Sequence, residues 1–162
     1  MSDTATCGPA PWPASGRLAG IDFGTVRIGI AVTDPDRRLA SPWDTYERRS
    51  ATADAAFFAR FAADERIAGF VVGLPLFPSG DESPKSVEAR RFGLWLGAAT
   101  GKPIVFFDER YSSAAADEFM AQGRLTKKRR QARRDQLAAQ VLLSAFLESG
   151  QRPTATGEAL DR

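Results

Sequence analysis

Two short apolar runs constrain the fold of this chain more than any other feature: Ile-Ala-Gly-Phe-Val-Val-Gly at residues 67–73 and Pro-Ile-Val-Phe-Phe-Asp at residues 103–108. Both are continuous rather than alternating, the pattern of a strand covered on both faces, which belongs to parallel sheets. Each follows a stretch with helical spacing. Residues 51–66 carry Ala55, Phe58 and Ala62 beside Phe57 and Phe61, and Val87, Arg91, Leu94 and Ala98 run beside Phe92, Trp95 and Leu96 up to Gly101. A helix between two such strands is a crossover, so the strands lie parallel and the connections are right-handed.

Upstream, residues 18–23 and 27–33 form two β-branched runs separated by Gly24 and Thr25, which reads as a hairpin. A third short strand at residues 39–43 completes an antiparallel meander. Downstream, a short helix is expected from Ser112 or Ser113, suited to the N-cap, to Gly123, suited to the C-cap. A final helix starts near Asp135. The order β-β-β-α-β-α-β-α-α predicts an α/β domain at residues 17–149: a mixed five-stranded sheet, with a three-strand antiparallel meander plus two parallel strands, and helices on both faces. Residues 1–16 and 150–162, rich in Pro, Gly, Ala and small polar residues, are expected to be disordered tails.

The chain of 162 residues has no histidine and one cysteine, Cys7. That excludes Ser-His and Cys-His catalysis, His-ligated metals, intrachain disulfides and cysteine-rich zinc sites, and leaves carboxylates, lysines and hydroxyls for any chemistry. No apolar run reaches bilayer length and the N-terminus shows no secretion signal, so a cytoplasmic protein without membrane contact is expected. The net charge of +2 hides a strong asymmetry. Residues 124–134 hold Arg124, Lys127, Lys128, Arg129, Arg130, Arg133 and Arg134 with no acid, a local +7 that leaves −5 on the remainder. A cluster of this kind meets a polyanion when it is functional, although many such runs are simply solvated loops.

Three acidic positions are candidates for the chemistry. Asp22 ends the first strand beside Gly24, where an Asp also suits a turn. Asp108 and Glu109 follow the last strand, and parallel strands open their carboxyl ends at one edge, so Asp22 and Glu109 can share it. Asp135, at the expected start of the final helix, is in line with Ala138, Ala139 and Leu142, and also suits the helix macrodipole. Each has a plain structural explanation alone. Together Asp22, Glu109 and Asp135 make an all-oxygen site suited to Mg²⁺ or Mn²⁺, and two such ions roughly 4 Å apart would clamp a phosphodiester without a histidine base. The basic run would deliver phosphates beside Asp135.

The segments Leu18-Ala19-Gly20-Ile21-Asp22-Phe23-Gly24-Thr25, Arg27-Ile28-Gly29-Ile30-Ala31-Val32, Val71-Val72-Gly73-Leu74-Pro75, Asp108-Glu109-Arg110 and Asp135-Gln136-Leu137-Ala138-Ala139 resemble, in order, the motifs of the YqgF family of bacterial pre-16S rRNA nucleases, also described as Holliday-junction resolvase-like. The resemblance spans roughly residues 18–149. It implies a ribonuclease H-like fold, hydrolysis of nucleic-acid phosphodiesters, maturation of the 5′ end of 16S rRNA and a cytoplasmic location. By motif, Asp22, Glu109 and Asp135 correspond to the family's acidic site, with Asp108 and Arg110 as neighbours and Ser112-Ser113 supplying its hydroxyl. Expected nucleic-acid contacts are Arg110, Lys127, Lys128, Arg129, Arg130, Arg133 and Arg134. The expected partners are pre-rRNA or branched DNA and ribosomal precursor particles, bound by a monomer or a dimer. The small Gly73 and Pro75 are expected to leave room for a sugar-phosphate backbone. Two other readings compete. Asp-x-Gly-Thr in a hairpin also occurs in sugar kinases, which need a second such domain that this length does not supply, and the same fold serves as a nucleic-acid-binding module without catalysis.

Overall fold

The computed structural model describes residues 11–109 and 126–150. Its elements are β1 (Arg17–Asp22), β2 (Arg27–Thr33), β3 (Ala40–Glu47), α1 (Ala51–Asp64), β4 (Ile67–Leu74), α2 (Pro84–Thr100), β5 (Ile104–Asp108) and α3 (Lys127–Glu148). The five strands form one sheet in the order β3-β2-β1-β4-β5. Strands β1, β2 and β3 pair antiparallel, while β4 is parallel to both β1 and β5. The sheet expected from the two apolar runs and the meander is therefore the sheet observed.

Local chemistry sets most of the boundaries. Ser50 caps α1 by accepting from the Ala53 amide. Helix α2 opens with a reciprocal box between Ser83 and Ser86, has Pro84 as its first residue, and ends at Gly101 with φ 70°. Strand β3 runs past the expected Trp43 to Glu47 because it is an edge strand. One side of it faces water, so its polar residues Ser41, Asp44 and Thr45 conceal the strand from a hydrophobicity pattern.

Alternation along the strands divides the core into two layers. Ile21, Ile28, Ile30, Phe70 and Val72 face α1 and α2, where Phe58, Phe61 and Phe92 build an aromatic layer. Leu18, Ala31, Val71, Val105 and Phe107 face α3 and meet Ala139, Leu142, Leu143 and Phe146.

Helix α3 departs from expectation. It begins at Lys127 and not near Asp135, so residues 127–134 of the basic run are the first two turns of the helix and not a loop, and Asp135 lies in its interior. Thr126 caps it, accepting from the Arg129 amide at 3.3 Å. Like charges at the positive end of a helix cost several tenths of a kcal/mol each, roughly. Lys, Arg, Gln and Ala are nonetheless strong helix formers, and burying Leu142, Leu143 and Phe146 contributes about 1.5–3 kcal/mol apiece, so packing wins. The expected helix between residues 112 and 123, with Arg110, Ser112, Ser113 and Arg124, lies outside the described residues.

The expected disordered tail also needs correction at its inner end. Trp12 packs edge-on against Phe146 at 5.8 Å, and Arg37 donates to the carbonyls of Pro13 at 2.9 Å and Gly16 at 2.7 Å. Residues 11–16 are thus held on the domain. Residues 1–10 and 151–162 lie outside the described residues.

Two glycines seat α3. A Cβ on Gly20 would lie 2.9 Å from Leu143 Cβ, and one on Gly29 would overlap the backbone of Asp135 itself. The helix is further tied to β3, where Thr45 donates its hydroxyl to the Ala132 carbonyl at 2.5 Å and Gln140 its amide to the Ala40 carbonyl at 3.1 Å. Backbone yields poorly to an added methyl. Gly29→Ala should therefore destabilise the fold by about 3 kcal/mol, the upper range for overpacking, in urea unfolding. Gly101→Ala meets no neighbour and strains only a positive φ, so it should cost about 1 kcal/mol.

Candidate active site

Because β1, β4 and β5 run parallel, their carboxyl ends open at one edge of the sheet. Asp22 is the last residue of β1, and alternation from Leu18 and Gly20 points it to the α3 side. In the ladder it pairs with Gly29, the glycine against which the Asp135 backbone rests. One contact thus sets Asp22 and Asp135 side by side. Glu109 follows β5 on the side of Val105 and Phe107. Asp108, one residue earlier, belongs with Ile104 and Phe106 on the α1–α2 side and is 9% exposed.

Asp22, Glu109 and Asp135 line one cleft of about 400 Å³, together with the hairpin residues 23–27, Pro75, Lys85 and Glu88. The sequence-derived role of Gly73 requires revision. A Cβ there would collide with the Glu109 carboxylate, so the absent side chain makes room for the catalytic candidate and not for a sugar-phosphate backbone. Pro75 does line the cleft.

Asp22 and Glu109 are hydrogen-bonded to each other. Two carboxyl groups make that bond only if one holds a proton. Burial, then the charges of Glu109 and Asp135, push Asp22 well above the usual carboxylate range. Burial also raises Glu109, with the neighbouring Asp108 charge adding to it, while the hydrogen bond from Asp22 works in the opposite direction. Asp135 instead accepts from Arg27 Nε at 3.1 Å across a half-buried ion pair. As the side chains stand, no three acidic groups among the described residues surround one point closely enough to hold a metal ion. What the structure brings together is a proton-sharing pair, Asp22 and Glu109, with Asp135 on the same wall.

Three wall residues escaped the sequence reading. Arg27 shares the α3-facing side of β2 with Gly29, a relation visible in strand alternation once the hairpin is accepted. Lys85 and Glu88 lie on the first two turns of α2, brought over the cleft by the loop from β4, where Ser83 donates to the Pro75 carbonyl. No sequence period signals that loop path. Conversely, Lys127, Lys128, Arg129, Arg130, Arg133 and Arg134 do not line the cleft but stand exposed on the helical turns just before Asp135. Arg110 lies outside the described residues.

The shared proton makes stability depend on pH in a definite direction. The folded chain holds Asp22 and Glu109 protonated to higher pH than the unfolded chain does, so the metal-free protein loses stability as pH rises from the ordinary carboxylate range through the raised native values. Asp22→Asn keeps the shape without the charge. Its Tm in EDTA should exceed that of the wild type at pH 8, with the gap closing below about pH 4. Equal Tm values at pH 8 would mean that Asp22 is well solvated.

Comparison with known proteins bears on the family and the fold. The profile of the family described as RuvX, Holliday junction resolvase, matches residues 16–149. A protein of Rhodopirellula baltica named "Putative pre-16S rRNA nuclease" is 48% identical over 92% of this chain and 86% of its own length, and one of the same name from Nitrobacter winogradskyi is 40% identical over 86% and 85%. Among solved structures, T. thermophilus RuvC bound to a Holliday junction substrate aligns with a TM-score of 0.52 and 14% identity over 83% of this chain and 96% of that one. The Fowlpox virus resolvase with Holliday junction DNA gives 0.53 and 9% over 84% and 99%. These two establish the resolvase-type, ribonuclease H-like fold that the motifs implied. By profile match and by relatives over most of its length, the chain belongs to the RuvX family of Holliday junction resolvases, the family that its five motifs resemble.

Proposed function

We propose that this protein is a divalent-metal-dependent nuclease that hydrolyses phosphodiesters in the 5′-end processing of pre-16S rRNA in the cytoplasm. The names of its relatives support the substrate, and the half-buried Asp22–Glu109 pair lining the cleft is the observation that carries the chemistry. Among the described residues no helix is long and apolar enough to cross a membrane, which is compatible with that location.

The donor set fits Mg²⁺ or Mn²⁺. Both carboxylates are hard oxygen donors, they already meet, and a cation held by them would relieve the repulsion that now favours the protonated form. Asp22 and Glu109 would hold the ion directly. Asp135 would join by releasing Arg27, for a second ion or for bound water. A divalent ion there supplies Lewis-acid stabilisation of the phosphate and makes an attacking water more acidic. Arg27 and Lys85 bring positive charge to the wall where the phosphate enters. The basic turns of α3 hold the flanking phosphates, Lys128 being two turns, roughly 10 Å, before Asp135.

Cleavage of a precursor 16S rRNA fragment and of a four-way DNA junction in Mg²⁺ or Mn²⁺ tests the reading. Asp22→Asn should lower the rate about a thousand-fold or more, as removal of a central catalytic group does. Activity that survives the substitution sinks the site. Cutting of the junction alone would favour a resolvase, the reading that the family description supports, and binding without cutting a non-catalytic module.

Replacing Lys127, Lys128, Arg129 and Arg130 with Gln should weaken binding and flatten the plot of log K against log salt by about 0.7 per lost contact on single strands. An unchanged slope would remove these turns from the interface.

A further inference from the structure

A second groove, of about 390 Å³, adjoins the carboxylate cleft and shares Phe23, Thr25 and Glu88 with it. We propose that it holds one unpaired nucleobase of the strand being cut, next to the scissile phosphate. The proposal rests on the nuclease reading above and deepens it to a preference for single-stranded substrate.

Chain alternation creates the arrangement. Asp22 points to the α3 side of the sheet, and the next residue, Phe23, turns to the other, so the strand end supplies a carboxylate to one recess and an aromatic ring to its neighbour. Phe23 stacks on Phe92 with ring centroids 4.8 Å apart and 27° between planes, and Phe92 meets Trp95 at 5.5 Å and 34°. Three rings of similar tilt form an apolar wall, with Phe92 buried and Phe23 and Trp95 partly open. The Arg48 guanidinium sits 5.4 Å from the Phe23 centroid and 5.7 Å from that of Phe92. Its position is fixed by Asp54, 3.5 Å away. Arg91 is exposed on the rim.

The chemistry selects the occupant. An aromatic wall with guanidinium groups on and beside it matches a π-face attached to an anionic backbone, as in single-strand recognition. An apolar peptide would bring no counter-charge to Arg91 on the rim, whereas Arg48 is already paired with Asp54. Glu88 stands where the two recesses join and accepts hydrogen bonds, which suits an exocyclic amino group on a base and repels a second phosphate. The shared residues make the path continuous, so a strand with its phosphate at the carboxylates lays its neighbouring base against the rings. A base within a duplex is already stacked and paired and does not enter.

Binding in EDTA tests this independently of cutting. The full chain is titrated with an eight-nucleotide single-stranded RNA, with the same strand made abasic at each position in turn, and with a blunt duplex. In the wild type, one abasic position should weaken binding about ten-fold, the scale of one lost stacking contact. Trp95→Leu should weaken the intact strand by a similar factor, add nothing further on that abasic strand, and leave the duplex unchanged. Arg91→Gln, a change on the exposed rim, should reduce the preference for single strand over duplex in the same sense and guards against a folding defect in the first variant. Losses that multiply, equal losses on duplex and single strand, or no sensitive position would overturn the proposal. Failure of the nuclease reading looks different: the binding pattern would hold while the wild type cuts nothing in Mg²⁺ or Mn²⁺.

Discussion

The close approach of α3 to β2 at Gly29 is the contact on which the site depends. An ordinary residue at that position would hold the helix off the sheet by the width of a methyl group or more. With glycine there, the Asp135 backbone rests on the strand, and the register that pairs Gly29 with Asp22 delivers two carboxylates from distant parts of the chain to one edge. Gly73 performs the complementary task for Glu109 by leaving its carboxylate a place to lie. Small residues thus build the cleft by omission, and the aromatic layer beneath α1 and α2 gives the sheet the rigidity to keep it.

Two electrostatic costs are stored around this contact. The half-buried acid pair repels itself unless a proton or a cation is shared by its members, and the first turns of α3 gather positive charge at the helix end where it is least favourable. Their signs are opposite and their positions adjacent. Under the proposed function, a phosphodiester backbone lying along α3 would relieve the second cost, and the divalent ion proposed for its cleavage would relieve the first. The two features that destabilise the free protein are thus the ones proposed to bind substrate and cofactor.

Much of this was legible in sequence. The runs at residues 67–73 and 103–108 identified two parallel strands because burial on both faces leaves no room for polar residues. Asp22 and Glu109 stood out as ionisable groups ending apolar strands, and strand parity alone separates Glu109 from Asp108. Other features were hidden for physical reasons. Edge exposure masked the second half of β3, and the charge density of residues 127–134 resembled a solvated loop although their helix propensity is high. The ion pair of Arg27 with Asp135 joins residues 108 positions apart, and Lys85 and Glu88 reach the cleft through a loop whose course no periodicity encodes. Gly73 was singled out correctly as a small residue at the site, but only the packing shows that it accommodates a side chain of the protein itself.

The Asp22–Glu109 pair, set beside Asp135 by the seating of α3, is where we propose that a divalent ion enters. Anomalous diffraction at the manganese edge from crystals of the full chain soaked in Mn²⁺ tests it most directly. The account predicts a peak between the Asp22 and Glu109 carboxylates, lost in Asp22→Asn. A peak elsewhere on the molecule, or an empty cleft in protein that cleaves nucleic acid in the same Mn²⁺ buffer, would contradict it.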